Sequence, residues 1–141
     1  MNIRKRFLLP SFKYKKQEGG LFGKVLRPVI ELEAYSKVKN RWLVLRNILA
    51  DTGADISMLP RSLGEALVLD ITRAKKAQIK GVVPEARVNV YIHTLKFKLN
   101  SKQFNLPVAI ADSDNVPPIL RRVKGLDLFN ANFKKGKVLQ L

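Results

Sequence analysis

The sequence predicts a small, mostly β barrel or sandwich with one or two short helices. Three observations carry this expectation. Short apolar segments recur between turn signals from Pro28 onward, and long helical periodicity is nearly absent. Arg87–Leu99 (RVNVYIHTLKFKL) alternates as a half-buried strand does. The chain has 141 residues and is 46% apolar, which suits one packed core and is too apolar for a disordered chain.

Taken in order, residues 1–20 (MNIRKRFLLPSFKYKKQEGG) are basic, show no clear period and end in Gly19-Gly20. They read as a flexible basic N-terminal arm ahead of a domain spanning residues 21–141. Pro28–Tyr35 alternates loosely, and Trp42–Ala50 is dense in apolar residues; both read as strands. Arg61–Leu67 follows Pro60 and reads as a short helix, weakened by Gly64. Within Arg87–Leu99, Val88, Val90 and Ile92 share a face, and the phase then slips to Leu95, Phe97 and Leu99. The slip at His93-Thr94 predicts a bulge or a break, with His93 structural or exposed. Phe104–Ala111 reads as a strand that Pro107 places at an edge or near an end. A second short helix is expected around Leu126–Asn132, and Lys137–Leu141 as a closing strand.

Lys plus Arg number 27 against 11 Asp plus Glu, a net charge of +16. Residues 1–46 carry 12 basic and 3 acidic side chains, a balance of +9. A basic arm with Phe12 and Tyr14 among its lysines can lie on phosphates and stack on bases. No zinc-finger spacing, RNP aromatic motif or basic zipper accompanies it, so nucleic acid is not the favoured partner. With no cysteine there is no disulfide framework, thiolate metal site or cysteine nucleophile. One histidine, His93, excludes multi-histidine metal sites within the chain, and no metal is expected. Phe7-Leu8-Leu9 is too short for a secretory signal, and no window approaches a membrane span; the expected location is cytoplasmic.

One segment carries chemistry. Asn47–Pro60 reads NILADTGADISMLP, placing Asp51 directly between two apolar runs. Burying a lone carboxylate is expensive unless it is paired or hydrogen-bonded. Gly53 permits a tight turn and a close backbone approach, and Thr52 offers a hydroxyl beside it. A bare Asp-Thr-Gly would be an ordinary turn. Asp70, Asp112, Asp114 and Asp127 have neighbourhoods in which solvated or capping roles suffice, and none has the apolar flanks of Asp51.

The string apolar-apolar-x-Asp-Thr-Gly-Ala-Asp-x-Ser, followed by Leu-Pro and a short helix, resembles the active-site loop of retropepsin-like aspartic proteases. Ala54 after the glycine is similar to the retroviral and single-lobe bacterial branch. The LPRSLGEALVLD segment resembles small bacterial members, and Gln78–Pro84 sits where the family has its flap. The resemblance covers about residues 25–141. It implies a small closed acid-protease barrel and an aspartic endopeptidase acting on a peptide or protein, with no cofactor. In this family two carboxylates share one proton and hold a water, and mutual repulsion drives their macroscopic pKa values apart; aspartic proteases are the standard case. This chain has one Asp-Thr-Gly and no internal repeat, so the implied pair is Asp51 and the partner subunit's Asp51 in a homodimer.

By the same resemblance, the catalytic loop is Asp51, Thr52 and Gly53, with Thr52 bonding across the two-fold axis. Ala54, Asp55 and the flap residues Lys80, Gly81 and Val82 would contact substrate, with Ser57 and Arg122 as structural support. The C-terminal motif departs from the family pattern and admits two registers. Ile119-Leu120-Arg121-Arg122 matches with Arg121 in place of a glycine, which would let Arg122 pair with Asp55. Alternatively Gly125-Leu126-Asp127 supplies the glycine and the arginine is lost. The rival expectation is a non-catalytic basic β-domain binding nucleic acid or a protein partner, with the loop as a dimer contact.

Overall fold

A computed structural model describes residues 9–19, 21, 23–80 and 87–141. Its strands are β1 (Ser11–Lys13), β2 (Lys15–Glu18), β3 (Lys24–Arg27), β4 (Val29–Ser36), β5 (Arg41–Ala50) and β6 (Ser57–Leu59). They continue as β7 (Lys75–Lys80), β8 (Arg87–Leu99), β9 (Lys102–Ala111), β10 (Ile119–Leu120), β11 (Asn132–Lys134) and β12 (Val138–Gln140). One helix, α1 (Arg61–Leu67), follows Pro60 as expected, and a 3-10 turn covers Leu126–Leu128. The second helix is therefore shorter than the span expected for it: residues 129–131 are irregular, and β11 begins at Asn132.

Six strands in the order β4-β5-β10-β6-β9-β8 close on themselves through a β4–β8 pairing, and β7 extends the sheet beyond β8. The result is a mostly β, closed barrel, as the sequence predicts. Alternation fills it: β4 sends Ile30, Leu32 and Ala34 inward, β8 sends Leu95 and Phe97, and β9 sends Leu106 and Val108. Ser36, fully buried at the end of β4, donates from Oγ to the Ala66 carbonyl (2.6 Å) and accepts the Lys39 N–H (3.0 Å). Both of its hydrogen-bonding roles are filled, which a buried hydroxyl needs.

A bulge sets the phase of β5. Ile30 faces Ile48 and Leu32 faces Leu45, so β5 carries one extra residue there, with Asn47 in the left-handed region at φ 60. Asparagine tolerates that conformation better than most residues. The extra residue turns Ile48 and Ala50 back toward the core, and Asp51 emerges just past the barrel end.

Three further expectations are corrected. Strand β8 has neither bulge nor break at His93-Thr94: its register with β9 runs unshifted from Val90↔Ala111 to Leu99↔Lys102. The slip in its sequence is a change of buried face. Leu95, Phe97 and Leu99 enter the barrel core, whereas Val90 joins a second cluster with Val88, Ile92, Ala109 and Ile79. His93 is half-buried, and its Nε2 donates to the Ile71 carbonyl at 2.7 Å, a structural role. Nor do residues 11–18 form a separate arm. β1 pairs with β12, β2 pairs with β3, and Phe12 and Tyr14 pack against the core, which their alternation with lysines allows. The third correction, to Arg122, belongs to the site below. Among the described residues, no helix is long and apolar enough to cross a membrane.

Candidate active site

The Asp51 loop hangs from two flanking chain segments. On one side β10 runs parallel to β5, with Ile119 beside Leu49 and Leu120 beside Ala50. On the other, the Ala50 N–H donates to the Pro28 carbonyl at 2.9 Å. The Asp51 N–H donates to the Leu120 carbonyl at 3.0 Å, so the residue's backbone is pinned where β5 ends. Its Oδ1 accepts the Gly53 N–H at 3.0 Å, and its carbonyl accepts the Ala54 N–H at 3.3 Å, closing a tight turn. Asp51 is half-buried, and among the described residues its carboxylate has no ion pair.

Gly53 is not required by crowding inside the chain. A Cβ there would meet only Asp51 Oδ1, at an ordinary 3.6 Å. Thr52 and Gly53 are exposed and Ala54 is half-buried. A hollow of about 320 Å³ opens beside the loop, lined by Arg27, Pro28, Leu49, Ala50, Asp51, Thr52 and Phe133. A second, of about 350 Å³, shares Thr52 and Phe133 and adds Arg122, Leu126 and Asp127. Arg27 and Phe133 were not selected from the sequence. They lie far from Asp51 along the chain, and strand β11, which carries Phe133, has no apolar alternation to reveal it.

The position expected for Arg122 beside Asp55 is taken by Arg121. Arg122 does not reach Asp55; its Nε bonds the Asp127 carboxylate at 3.2 and 3.3 Å. Arg121 instead donates from Nη1 to the Asp55 backbone carbonyl and from Nε to the Val123 carbonyl (3.1 Å). The chain turns at Arg122, whose carbonyl accepts the Gly125 and Asp127 N–H groups, and this carries its side chain toward Asp127 while Arg121 stays beside the loop. The Arg121 N–H is also bonded to Ser57 Oγ at 3.0 Å, and Ser57 is fully buried. The two sequence registers each describe part of the motif. Ile119-Leu120 supplies the apolar pair beside Asp51, and Gly125 opens the 3-10 turn, where a Cβ would collide with the Arg121 carbonyl. Asp55 is exposed, Lys80 ends β7 exposed, and Gly81 and Val82 lie outside the described residues.

The other aspartates are occupied. Asp112 pairs with Arg61, and Asp127 with Arg122. The Asp114 carboxylate accepts the Ser62 N–H at 2.8 Å, which, with the Ser62 hydroxyl and Arg61, holds its pKa below the ordinary 3.8. The Thr72 hydroxyl and N–H, then Arg73, do the same for Asp70. A carboxyl whose pKa is depressed by folding stabilises the fold above its unfolded pKa, and that contribution is lost as pH falls through the folded value. Stability should therefore decline below about pH 4. In urea unfolding, Asp114→Asn should be less stable than the parent at pH 7, with the gap closing in acid.

Compared with known proteins, the chain matches no family model and no curated protein. Solved structures that resemble it include the EIAV protease complexed with the inhibitor HBY-793. That structure is 26% identical with a TM-score of 0.51, over 72% of this chain and 88% of that one. Another is a retropepsin-like aspartic protease from Rickettsia conorii, 18% identical with a TM-score of 0.60, over 94% of this chain and 99% of that one.

Proposed function

We propose that this chain, which has the retropepsin-like fold, is a homodimeric aspartic endopeptidase whose catalytic pair is Asp51 and the partner subunit's Asp51. The observation that carries this reading is the setting of Asp51 itself. An apolar strand delivers it to the barrel end, its amide is fixed by Leu120, and it borders an open hollow with no cation paired to it among the described residues. One carboxylate cannot serve as base and acid in the same step, and a two-fold axis supplies the second from an identical loop. The ionised member takes a proton from a water held between the two, the water oxygen bonds to the scissile carbonyl carbon, and the tetrahedral adduct then breaks its C–N bond. The protonated member hydrogen-bonds the scissile carbonyl, and the proton passes to the departing amine.

The neighbours have roles consistent with that step. Thr52, exposed beside both hollows, is free to bond across the axis, and the open space over Gly53 admits a substrate backbone or the partner loop. Ala54, Asp55, Lys80, Gly81 and Val82 would contact the peptide. Ser57 and Arg121 brace the loop from behind, and Arg122 holds the 3-10 turn through Asp127. The resemblance to proteases of known structure supports the same reading.

The test is peptidase activity against a peptide library at mildly acidic and neutral pH, followed across protein concentration. Activity per chain should rise with concentration as dimers form, then level off. Full activity in a protein that stays monomeric would overturn the paired mechanism.

A further inference from the structure

The outer face of the barrel carries a feature that hydrolysis at Asp51 does not use. Across β5, β4, β8 and β9, Trp42, Tyr35, Lys96 and Asn105 form one row, with Tyr35 opposite Trp42 and Lys96 opposite Asn105. In the next row Glu33 stands opposite Lys98. These side chains point outward, because their neighbours Ala34, Ser36, Leu45 and Phe97 fill the inside. The two rings meet edge to face with centroids 5.6 Å apart. The Lys98 ammonium sits 4.5 Å from the Trp42 ring centroid, and the Lys96 ammonium 5.9 Å from that of Tyr35.

Beside the row lies a concavity of about 290 Å³, with Lys37, Thr94 and Asn105 among its walls and Leu67 in its lining. The turn joining β4 to β5 adds exposed Lys37 and Lys39, and β5 opens on exposed Arg41. Of these cations, only Lys98 has a carboxylate partner among the described residues, Glu33 at 3.4 Å. Aromatic rings on the water side of a sheet, set among cations with little acid nearby, combine ring faces with phosphate counter-charge.

We propose that this face is a platform for single-stranded nucleic acid. Bases stack on Trp42 and Tyr35, and the backbone phosphates lie along Lys37, Lys39, Arg41 and Lys96. When a base takes the Trp42 face, Lys98 swings from the ring to a phosphate. A duplex suits this face less, since a broad sheet has no helix or narrow ribbon to enter a groove. An acidic peptide would satisfy the lysines and leave the rings unused. Trp42 lies near the start of β5 and Asp51 past its end, roughly 30 Å apart at about 3.3 Å per residue. The platform therefore stands independently of the peptidase reading.

Trp42 is the one tryptophan of the chain, so its fluorescence reports on this surface alone. The full chain is titrated with a labelled oligothymidylate of about 15 nucleotides, reading anisotropy and Trp42 emission across salt concentrations. Binding should quench Trp42 and weaken linearly in log salt. Lys37→Gln with Lys96→Gln should lower that slope by about 1.4, at about 0.7 per phosphate contact. Trp42→Leu should lose about tenfold in affinity, and Trp42→Phe should retain most of it. Thermal melts confirm that each variant is folded, and the two lysine substitutions touch no core residue. Absence of binding at low salt overturns the proposal. So does binding that leaves Trp42 unquenched, binding matched by polyglutamate, or binding indifferent to Lys37 and Lys96.

Discussion

Asp51→Asn should leave the protein folded and lower peptidase activity by a factor of about 10³ or more. The substitution is nearly isosteric, and the asparagine carbonyl can still accept the Gly53 N–H that closes the turn, now 3.0 Å from Oδ1. The backbone bond from residue 51 to Leu120 is untouched. What disappears is the ability to ionise, and with it the base that activates water. Unchanged thermal melting beside lost hydrolysis separates chemistry from folding. A mixing experiment adds the stoichiometry. If parent and variant chains associate at random in equal amounts, about a quarter of the dimers keep both carboxylates, and activity should fall to about that fraction. A fall only to one half would mean that each chain works alone. Hydrolysis that survives the substitution would remove Asp51 from the mechanism.

Gly64→Ala should destabilise the fold by about 1–3 kcal/mol, although alanine is the better helix former by about 1 kcal/mol. Gly64 lies on the buried side of α1 against β9. A Cβ there would fall inside the contact distance of Ile110 Cγ2, with Ile110 Cδ1 at 3.2 Å and Ile71 Cδ1 at 3.3 Å. Ile110 is wholly buried within the sheet and cannot retreat, so the helix must lift and surrender part of the burial of Leu67. Denaturant midpoints measure the cost. Ile110→Ala alone opens a cavity at about 2–5 kcal/mol. In the double variant the new methyl occupies some of that space, so the combined loss should be smaller than the two added together. A neutral or stabilising Gly64→Ala would show that the helix does not press on β9 as described.

The elements legible in the sequence are those whose signals are local. Pro60 marks the start of α1, turn residues bound β4 and β5, and Asp51 stands out because its neighbours on both sides are apolar. Ile119-Leu120 is readable as an apolar pair for the same reason, with Leu120 buried and Ile119 half-buried. The misread features depend on partners distant in the chain. β8 looked broken because a single strand serves two clusters with opposite faces, a fact that only the second cluster reveals. Ser11–Lys13 is too short and too basic to announce itself as a strand, yet it lies against Val138–Gln140. That Arg121 and not Arg122 reaches Asp55 turns on which way each side chain leaves the backbone, and two adjacent arginines carry no sign of that.

The two residues of β10 also impose an order in time. They slip between β5 and β6, strands translated long before them, and bring the only acceptor that the Asp51 amide has among the described residues. Contacts so distant in sequence close slowly, because the intervening chain must be gathered first. A ribosome therefore releases the Asp-Thr-Gly segment well before Leu120 can fix the Asp51 amide. The nascent polypeptide carries Asp51 in a loop closed only by its own turn and by Pro28 until Leu120 emerges, and a chain interrupted before that point never fixes the Asp51 amide.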